Sequence, residues 1–414
     1  MGNVSLSPRR PLDGLKVLDF THALAGPYCT MLMAAYGADV YKIEDTGPGD
    51  MGRTWGPPFV GGEASYFLGL NSGKKGLSID LKDPRGHGVC VELLRRADIL
   101  IENFRPGTMA RLGLDYETAR TLNPRLVYCS ISGYGQTGPG RDDSAMDLIM
   151  QAACGLLSAT GAADGSIARC GHSVADITAG MFALSGVLMA LRVREQTGGG
   201  QYVDISMLDS MISAMASNFA YCLGSGQDPK PMGTAFATIV PYACFPAQDG
   251  QIAIAVANER LWRAFGEATG RLDVIGDARF ETNALRVENR RVLEALVSEI
   301  LGGRTVADWC ERFRRFGIPC APVRTLSQVA SDPQAQARAM FPVVTHPQAG
   351  PVRVTGAPVK LSETPGAVGP ASPAQGQHTR EVLRELLEMD EESINALAAA
   401  HVIREGTAER ESRQ

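Results

Sequence analysis

LKVLDFTHALAGPYCTMLMAAYGADVYKIE, residues 15–44, decides the fold. Leu15 to Phe20 is a short apolar run, Gly26 to Tyr36 spaces small and apolar residues helically, and after Gly37 the stretch Ala38 to Ile43 is apolar again. That is a βαβ unit. Working outward, the alternation repeats as strand Gly76 to Leu81, helix Pro84 to Arg96, strand Ile99 to Glu102, helix Tyr116 to Leu122 and strand Leu126 to Ser132. The fold class is therefore α/β, with a parallel sheet covered by helices on both faces. Ligands of such sheets bind beyond the carboxyl ends of the strands, so the loops after Phe20, Ile43, Ile101 and Ile131 matter most.

Further along, Asp176 to Arg194 predicts a long helix rich in small residues, ended by Thr197-Gly198-Gly199-Gly200. A strand (Gln201 to Ile205) and a helix (Met207 to Leu223) follow. The Gly- and Pro-rich residues 225–231 then read as a linker. Residues 232–325 form a smaller α/β unit, with strands near Pro241 to Phe245 and Gln251 to Ala257 and helices at Glu259 to Thr269, Arg290 to Leu301 and Val306 to Phe316. Residues 326–414 are too irregular for a third domain and are expected to lie along the first, ending in helices Arg380 to Leu387 and Glu391 to Ala400 with a frayed tail after Arg404. This gives a large domain of 1–224 with 326–414 and a small domain of 232–325.

A net charge of -5 gives no basic excess for nucleic acid. Met1 to Pro11 lacks an apolar leader core, and no run approaches the roughly 20 apolar residues of a membrane span, which predicts a cytoplasmic protein without membrane contact. The nine cysteines form no CxxC pair and the six histidines no HExxH, so neither a disulfide framework nor a metal site is expected.

Gly47-Pro48-Gly49-Asp50-Met51-Gly52 carries the letters of a dinucleotide fingerprint, but Arg53-Thr54-Trp55-Gly56-Pro57-Pro58 cannot open the helix such a motif needs. Gly69 to Lys75 lacks the spacing and the hydroxyl of a P-loop. More telling are Lys74, Lys75, Lys82, Arg105 and Arg111, all at or just after predicted strand ends, where they are either solvated charges or partners for phosphates. Within Gly171-His172-Ser173-Val174-Ala175-Asp176-Ile177-Thr178-Ala179-Gly180, Asp176 sits where a loop enters a helix. It is either an N-cap or an ionised nucleophile, for which small neighbours leave room and a reference pKa of about 3.9 makes a base unnecessary. His172 is left without a role.

The chain resembles the class III CoA-transferases, the family of formyl-CoA transferase and carnitine CoA-transferase. The resemblance runs from about Leu12 to about Pro365 through Val17-Leu18-Asp19-Phe20-Thr21-His22 with Ala25-Gly26-Pro27, Gly37-Ala38-Asp39-Val40 with Lys42-Ile43-Glu44, Glu102-Asn103-Phe104-Arg105-Pro106-Gly107, Ser132-Gly133-Tyr134-Gly135 and Asp176. It implies a Rossmann-like large domain built from both chain ends, an inserted small domain and an interlocked homodimer. It further implies no permanently bound cofactor, coenzyme A as co-substrate, Asp176 as the catalytic nucleophile, and CoA held by Lys82, Asn103, Phe104, Arg105, Arg111 and the stretch Ser144 to Asp147. Two departures stand out. Ala255-Val256-Ala257-Asn258 replaces the glycine run of some members, and Asp45 replaces an arginine that formyl-CoA transferase uses for the nucleotide end of CoA.

The fold is also similar to that of the 2-methylacyl-CoA racemases, which need a His where Met146 stands in Ser144-Ala145-Met146-Asp147, and a thioether carries no proton. A third reading is a non-catalytic acyl-CoA-binding subunit, against which Asp176 argues. Arg53 to Gly61, Gly233-Thr234-Ala235 with Ile239-Val240-Pro241-Tyr242, and Leu285-Arg286-Val287 with Asn289-Arg290 resemble the succinyl-CoA:glutarate branch. A dicarboxylate acceptor would need a cation for its far carboxylate, such as Arg53 or Arg286, unless both are structural ion-pair partners.

Overall fold

In the computed structural model, which describes residues 10–406, the opening βαβ unit forms as its pattern requires. β1 (Lys16–Asp19) leads into α1 (Ala25–Ala35) and returns as β2 (Asp39–Glu44), with Val17 opposite Val40 in parallel register. Then come β3 (Lys74–Ile79), α2 (Pro84–Arg96), β4 (Ile99–Glu102), α3 (Tyr116–Leu122), β5 (Val127–Ser132), α4 (Asp147–Ala153), α5 (Val174–Thr197), β6 (Tyr202–Ser206) and α6 (Met207–Ala214). The six strands pair in the order β3-β2-β1-β4-β5-β6, all parallel, which is the doubly wound order. Ile403–Arg404 closes the β3 edge in antiparallel register. The expectations about an N-terminal leader and a frayed tail fall largely on residues 1–9 and 407–414, outside the described ones.

Local chemistry sets the boundaries of these elements. α2 starts where Asp83 caps the Arg85 N–H ahead of Pro84, whose fixed φ suits a first helical position. α5 stops at Gly198, whose φ of 81° suits a residue without a Cβ while its N–H closes on Arg194 O. One sheet face is covered by α1, α4, α5 and α6. The other is covered by α2, α3 and the C-terminal helices Thr379–Glu385 and Glu391–Ala399. The irregular C-terminal segment is tied to the first βαβ unit: Tyr36 Oη donates to Val359 O and accepts from Val359 N, and Ala367 N donates to Ala35 O.

By packing, the chain divides into two units: one comprises the residues up to Leu156, Cys170–Gly224 and those from Pro333 onward, the other Leu157–Arg169 with Ser225–Asp332. The sequence reading kept 157–169 in the large domain. Here Gly161 bridges Ile167, and its carbonyl accepts from Gly233 N at 2.7 Å, which gathers that excursion into the second unit. The second unit is a three-stranded antiparallel sheet, Cys320–Pro322, Gly250–Ala255 and Tyr242–Ala247 in that order, closed over Trp262, Phe265, Phe280 and Phe313.

Contrary to the sequence expectation, one helix, α5, is long and apolar enough to cross a membrane by length and composition. Its stripe Ala175, Ala179, Ala183 and Val187 is instead fully buried in the core shared with α1. Small residues permit this contact, since a Cβ at Gly180 would stand 2.5 Å from Ala25 O. Gly180→Ala should therefore push the helices apart and cost about 1–3 kcal/mol, lowering the melting temperature by several degrees. Gly88→Ala, where a Cβ on α2 meets nothing within 4 Å, should leave it unchanged or raise it. Thermal melts followed by circular dichroism check both.

Candidate active site

β1 lies between β2 and β4 in the sheet. The chain leaves β1 through α1 on one face and reaches β4 through α2 on the other, so a crevice opens between the carboxyl ends of β1 and β4. The loops beside it hang on a buried charge network. Asp19, with no exposure, takes Lys74 Nζ at 2.9 Å and the hydroxyls of Thr21 and Thr30 at 2.5 and 2.7 Å. Burial works to raise its pKa, but Lys74, Lys42 and the two hydroxyls outweigh that and hold it far below the usual carboxylate range. Lys42 Nζ lies 2.8 Å from Asp50 Oδ2 and donates to Thr21 O, while Asp50 Oδ1 accepts from Ala23 N and Gly52 N. Across the crevice, Asn103 Oδ1 accepts from His22 N at 2.8 Å and its Nδ2 donates to His22 O at 2.9 Å. Next to it, Glu102 Oε2 accepts from Phe104 N, and burial lifts that carboxyl to about 7.

Asp176 stands in the first turn of α5, two residues after its first residue, Val174. The N-cap reading of this residue fails, because the cap comes from another helix. Asp147 Oδ1 accepts from Ala175 N at 2.9 Å, and Asp147 Oδ2 accepts from Gln151 Nε2 at 2.7 Å. Gln151 Oε1 in turn takes Cys170 N at 2.9 Å, so one buried amide ties the loop before α5 to the cap. No described group donates a hydrogen bond to the Asp176 carboxylate. Burial first, and the Asp147 charge second, raise its pKa to about 7, against the pull of the helix N-terminus. The expected ordinary carboxylate pKa is corrected accordingly. Tyr66 shares this environment: burial and the charges of Asp176, Asp50 and Asp147 push its phenol well up, so it stays protonated, and its ring meets Trp55 edge-on at 5.0 Å.

The remaining predicted residues sort by whether the protein already uses them. Lys82 and Arg105 are exposed in the loops after β3 and β4 and Arg111 is exposed at the end of the short helix Thr108–Arg111; Lys82 N donates to Asp80 and an Arg111 N–H donates to Thr108 Oγ1. Lys74 and Lys75 leave the expected phosphate set, since Lys74 is buried on Asp19 and Lys75 pairs with Glu381 at 2.6 Å. Phe104 is half-buried, its ring 5.3 Å from that of His22. Asp147, expected beside CoA, is buried and caps α5. Arg53 and Arg286 are the structural partners that the alternative reading named. Arg53 grips Glu44 with two N–H groups at 2.7 and 2.8 Å over the Phe67 ring, and fully buried Arg286 holds Glu259, Val240 O and Phe280 O. Asp45 accepts from Gly47 N and Gly49 N, closing a turn, and Asn258 caps the helix Glu259–Thr269. The Nδ1 of exposed His172 lies 3.3 Å from Cys170 Sγ. The sequence reading gave no role to Tyr66 or Gln151, and quoted Lys42 and Asp50 only within motifs. Of these, Gln151 announces itself by lying four residues from Asp147 on a helix.

Residues 12–379 match the sequence family described as CoA-transferase family III. The chain is 36% identical over 394 residues to the succinyl-CoA:glutarate CoA-transferase of Mus musculus, covering 95% of this chain and 90% of that one. It is 38% identical over 367 residues to the acetyl-CoA:oxalate CoA-transferase of Acetobacter aceti, covering 87% and 93%. Among solved structures, a CAIB/BAIF family protein from Brucella suis superposes with a TM-score of 0.83 at 35% identity, covering 91% of this chain and all of that one.

The electrostatics of Asp176 give a stability signature independent of any substrate. A carboxyl whose folded pKa is about 7 and unfolded pKa about 4 favours the fold while protonated, and that favour is lost as pH rises through about 7. Asp176→Asn should thus melt with the parent at pH 4 and be more stable by about 1–2 kcal/mol at pH 8, after discounting for partial solvation. Melts of both proteins at the two pH values check this.

Proposed function

The chain belongs to CoA-transferase family III and is an enzyme that moves CoA between an acyl-CoA and a carboxylic acid, and on that premise we propose the following substrates and residue roles. The donor is succinyl-CoA and the acceptor a small dicarboxylate. The names of the mouse relative and of the succinate–glutarate CoA-transferase of Agrobacterium fabrum, 36% identical over 382 residues, support both assignments. Neither Arg53 nor Arg286 serves the far carboxylate, because both are held by internal partners.

Asp176 is the nucleophile. The observation that carries this is a carboxylate in the first turn of α5 that neither caps the helix nor pairs with a cation. A carboxylate kept from hydrogen bonds is destabilised as an anion, which favours its conversion to an uncharged acyl derivative. One oxygen attacks the thioester carbonyl, the C–S bond breaks, and a mixed anhydride and CoA thiolate result. The thiolate then attacks the Asp176 carbonyl, releasing the donor acid and leaving an aspartyl-CoA thioester. The acceptor carboxylate runs the two steps in reverse. Each exchange joins activated acyl groups of similar energy, and the protonated Tyr66 phenol is available as a donor to developing oxyanions.

Lys82, Arg105 and Arg111 hold the phosphates of CoA, being the strand-end cations that carry exposed side chains. The enzyme works as a cytoplasmic homodimer of the interlocked kind that the family resemblance implies, a large CoA-binding domain and a small inserted one in each subunit. Met181, Leu188, Met189 and Val193, exposed on α5, give a second copy an apolar surface to cover.

Asp176→Ala should lower exchange of labelled dicarboxylate into succinyl-CoA by at least about a thousandfold. The wild-type protein, trapped during turnover, should carry hydroxylamine-sensitive CoA on Asp176 by mass spectrometry. Deuterium uptake at the α-carbon of an acyl-CoA without acid exchange would instead establish a racemase, the reading that Met146 disfavours.

A further inference from the structure

We propose that Asn103 is a positioning residue whose carboxamide locks the His22–Ala23 turn across the crevice between β1 and β4, in the shape that receives acyl-CoA. The inference rests on the CoA-transferase reading and changes what Asn103 does in it, from touching CoA to shaping its seat.

Both functional atoms of the Asn103 side chain are engaged by the backbone of one residue on the opposite loop: Oδ1 by His22 N at 2.8 Å and Nδ2 by His22 O at 2.9 Å. A carboxamide matches a backbone N–H and C=O pair in the way another backbone would, and no other side chain of its length offers both a donor and an acceptor. The turn needs such a hold, because Ala23 has φ 64°, the left-handed region that an L-residue with a Cβ enters only at a cost.

The flanking peptide groups are held from the β1–β2 side. Asp19 takes Thr21 N, Lys42 donates to Thr21 O, and Asp50 takes Ala23 N. Asn103 supplies hydrogen bonds to His22 from the β4 side of the crevice, where the Phe104 ring also meets the His22 ring. It therefore fixes the spacing of the two loops and keeps Ala23 in its strained form. On the same side, Glu102 pins the Phe104 N–H, so the residue after Asn103 is fixed as well.

The test uses Asn103→Ala, Asn103→Asp and the double variant Asn103→Ala/Ala23→Gly, with kcat/KM measured separately for donor and acceptor and CoA binding measured by calorimetry. Loss of the clamp should lower kcat/KM for succinyl-CoA and weaken CoA binding by roughly 10-fold. The acceptor acid meets enzyme that already carries CoA, so its kcat/KM should move less than about threefold. Asn103→Asp keeps the acceptor for His22 N but sets an oxygen against His22 O, so it should be no better than Asn103→Ala. The decisive arm is the double variant. Glycine holds a positive φ without strain, so Ala23→Gly should restore at least half of the logarithmic loss. A residue that bound CoA directly would not be rescued by a change in its neighbour loop. No rescue, or an Asn103→Ala protein that binds CoA as the parent does, overturns the proposal. A parent without exchange activity would overturn the transferase reading instead, while the calorimetric arms would still decide the clamp.

Discussion

A carboxylate sealed from water at the end of the central strand governs what is built above it. Asp19 has no exposure, and an uncompensated charge there would cost several kcal/mol, so the chain must bring cations and hydroxyls to it. Lys74 arrives from β3 and also donates to Pro27 O at the start of α1 and to Asn71. Lys42 arrives from β2 and hands the network on to Asp50, which pins the turn after β1. Burial drags Lys74 down to about 8 against the attraction of Asp19. Three strands are thereby registered to one another by charge at the end where the crevice opens, and the loops there take their shape from buried side chains, since the sheet ladder has already ended.

Two other carboxylates of the same unit are treated in the opposite way. Asp176 and Glu102 have no cation, and burial raises each to about 7. The contrast comes from placement. Asp19 is at the sheet end, within reach of lysines from two neighbouring strands, whereas Asp176 lies on a helix whose near neighbours are alanines, Tyr66 and another acid. Asp147 deepens this by doing two things at once, capping α5 and adding a like charge. A fold that needed only a stable helix start would let Asp176 cap it. Supplying the cap from α4 relieves the Asp176 carboxylate of that duty, as the proposed nucleophile requires.

Most of the fold was legible because a parallel sheet buried on both faces writes itself as apolar runs, and helices between such strands carry their own spacing. Ile99 to Glu102, Glu259 to Thr269 and Arg290 to Leu301 matched to the residue. What escaped was structure held by distant partners. Ile403–Arg404 is too short to show a period, and it is a strand because β3 has an open edge. Met207 to Leu223 is two helices, Met207–Ala214 and Ala216–Ser225, broken at a methionine that no local rule marks. α5 hid its membrane-like hydropathy behind alanine and glycine, which read as packing residues. In the site, Asp176 was visible from its helix start, but its raised pKa was not, because Asp147 approaches from α4 and Tyr66 from a short helix, Ser65–Leu68.

Cations show the same divide most sharply. Strand-end position alone placed Lys74, Lys75, Lys82, Arg105 and Arg111 in one class, yet an anionic ligand can be met only by those the protein has not already paired. Lys74 has an internal partner because Asp19 is buried, Lys75 because Glu381 comes back with the C-terminal segment, and Arg53, stacked over Phe67, because Glu44 is buried. Lys82, Arg105 and Arg111 lie beyond the strands, where water keeps a charge without an ion-pair partner cheap, and for that reason they are the cations proposed for the phosphates. Within this sheet the lysines buried inside strands, Lys42 and Lys74, serve the fold, whereas the exposed cations lie beyond the strands, where nothing internal claims their charge.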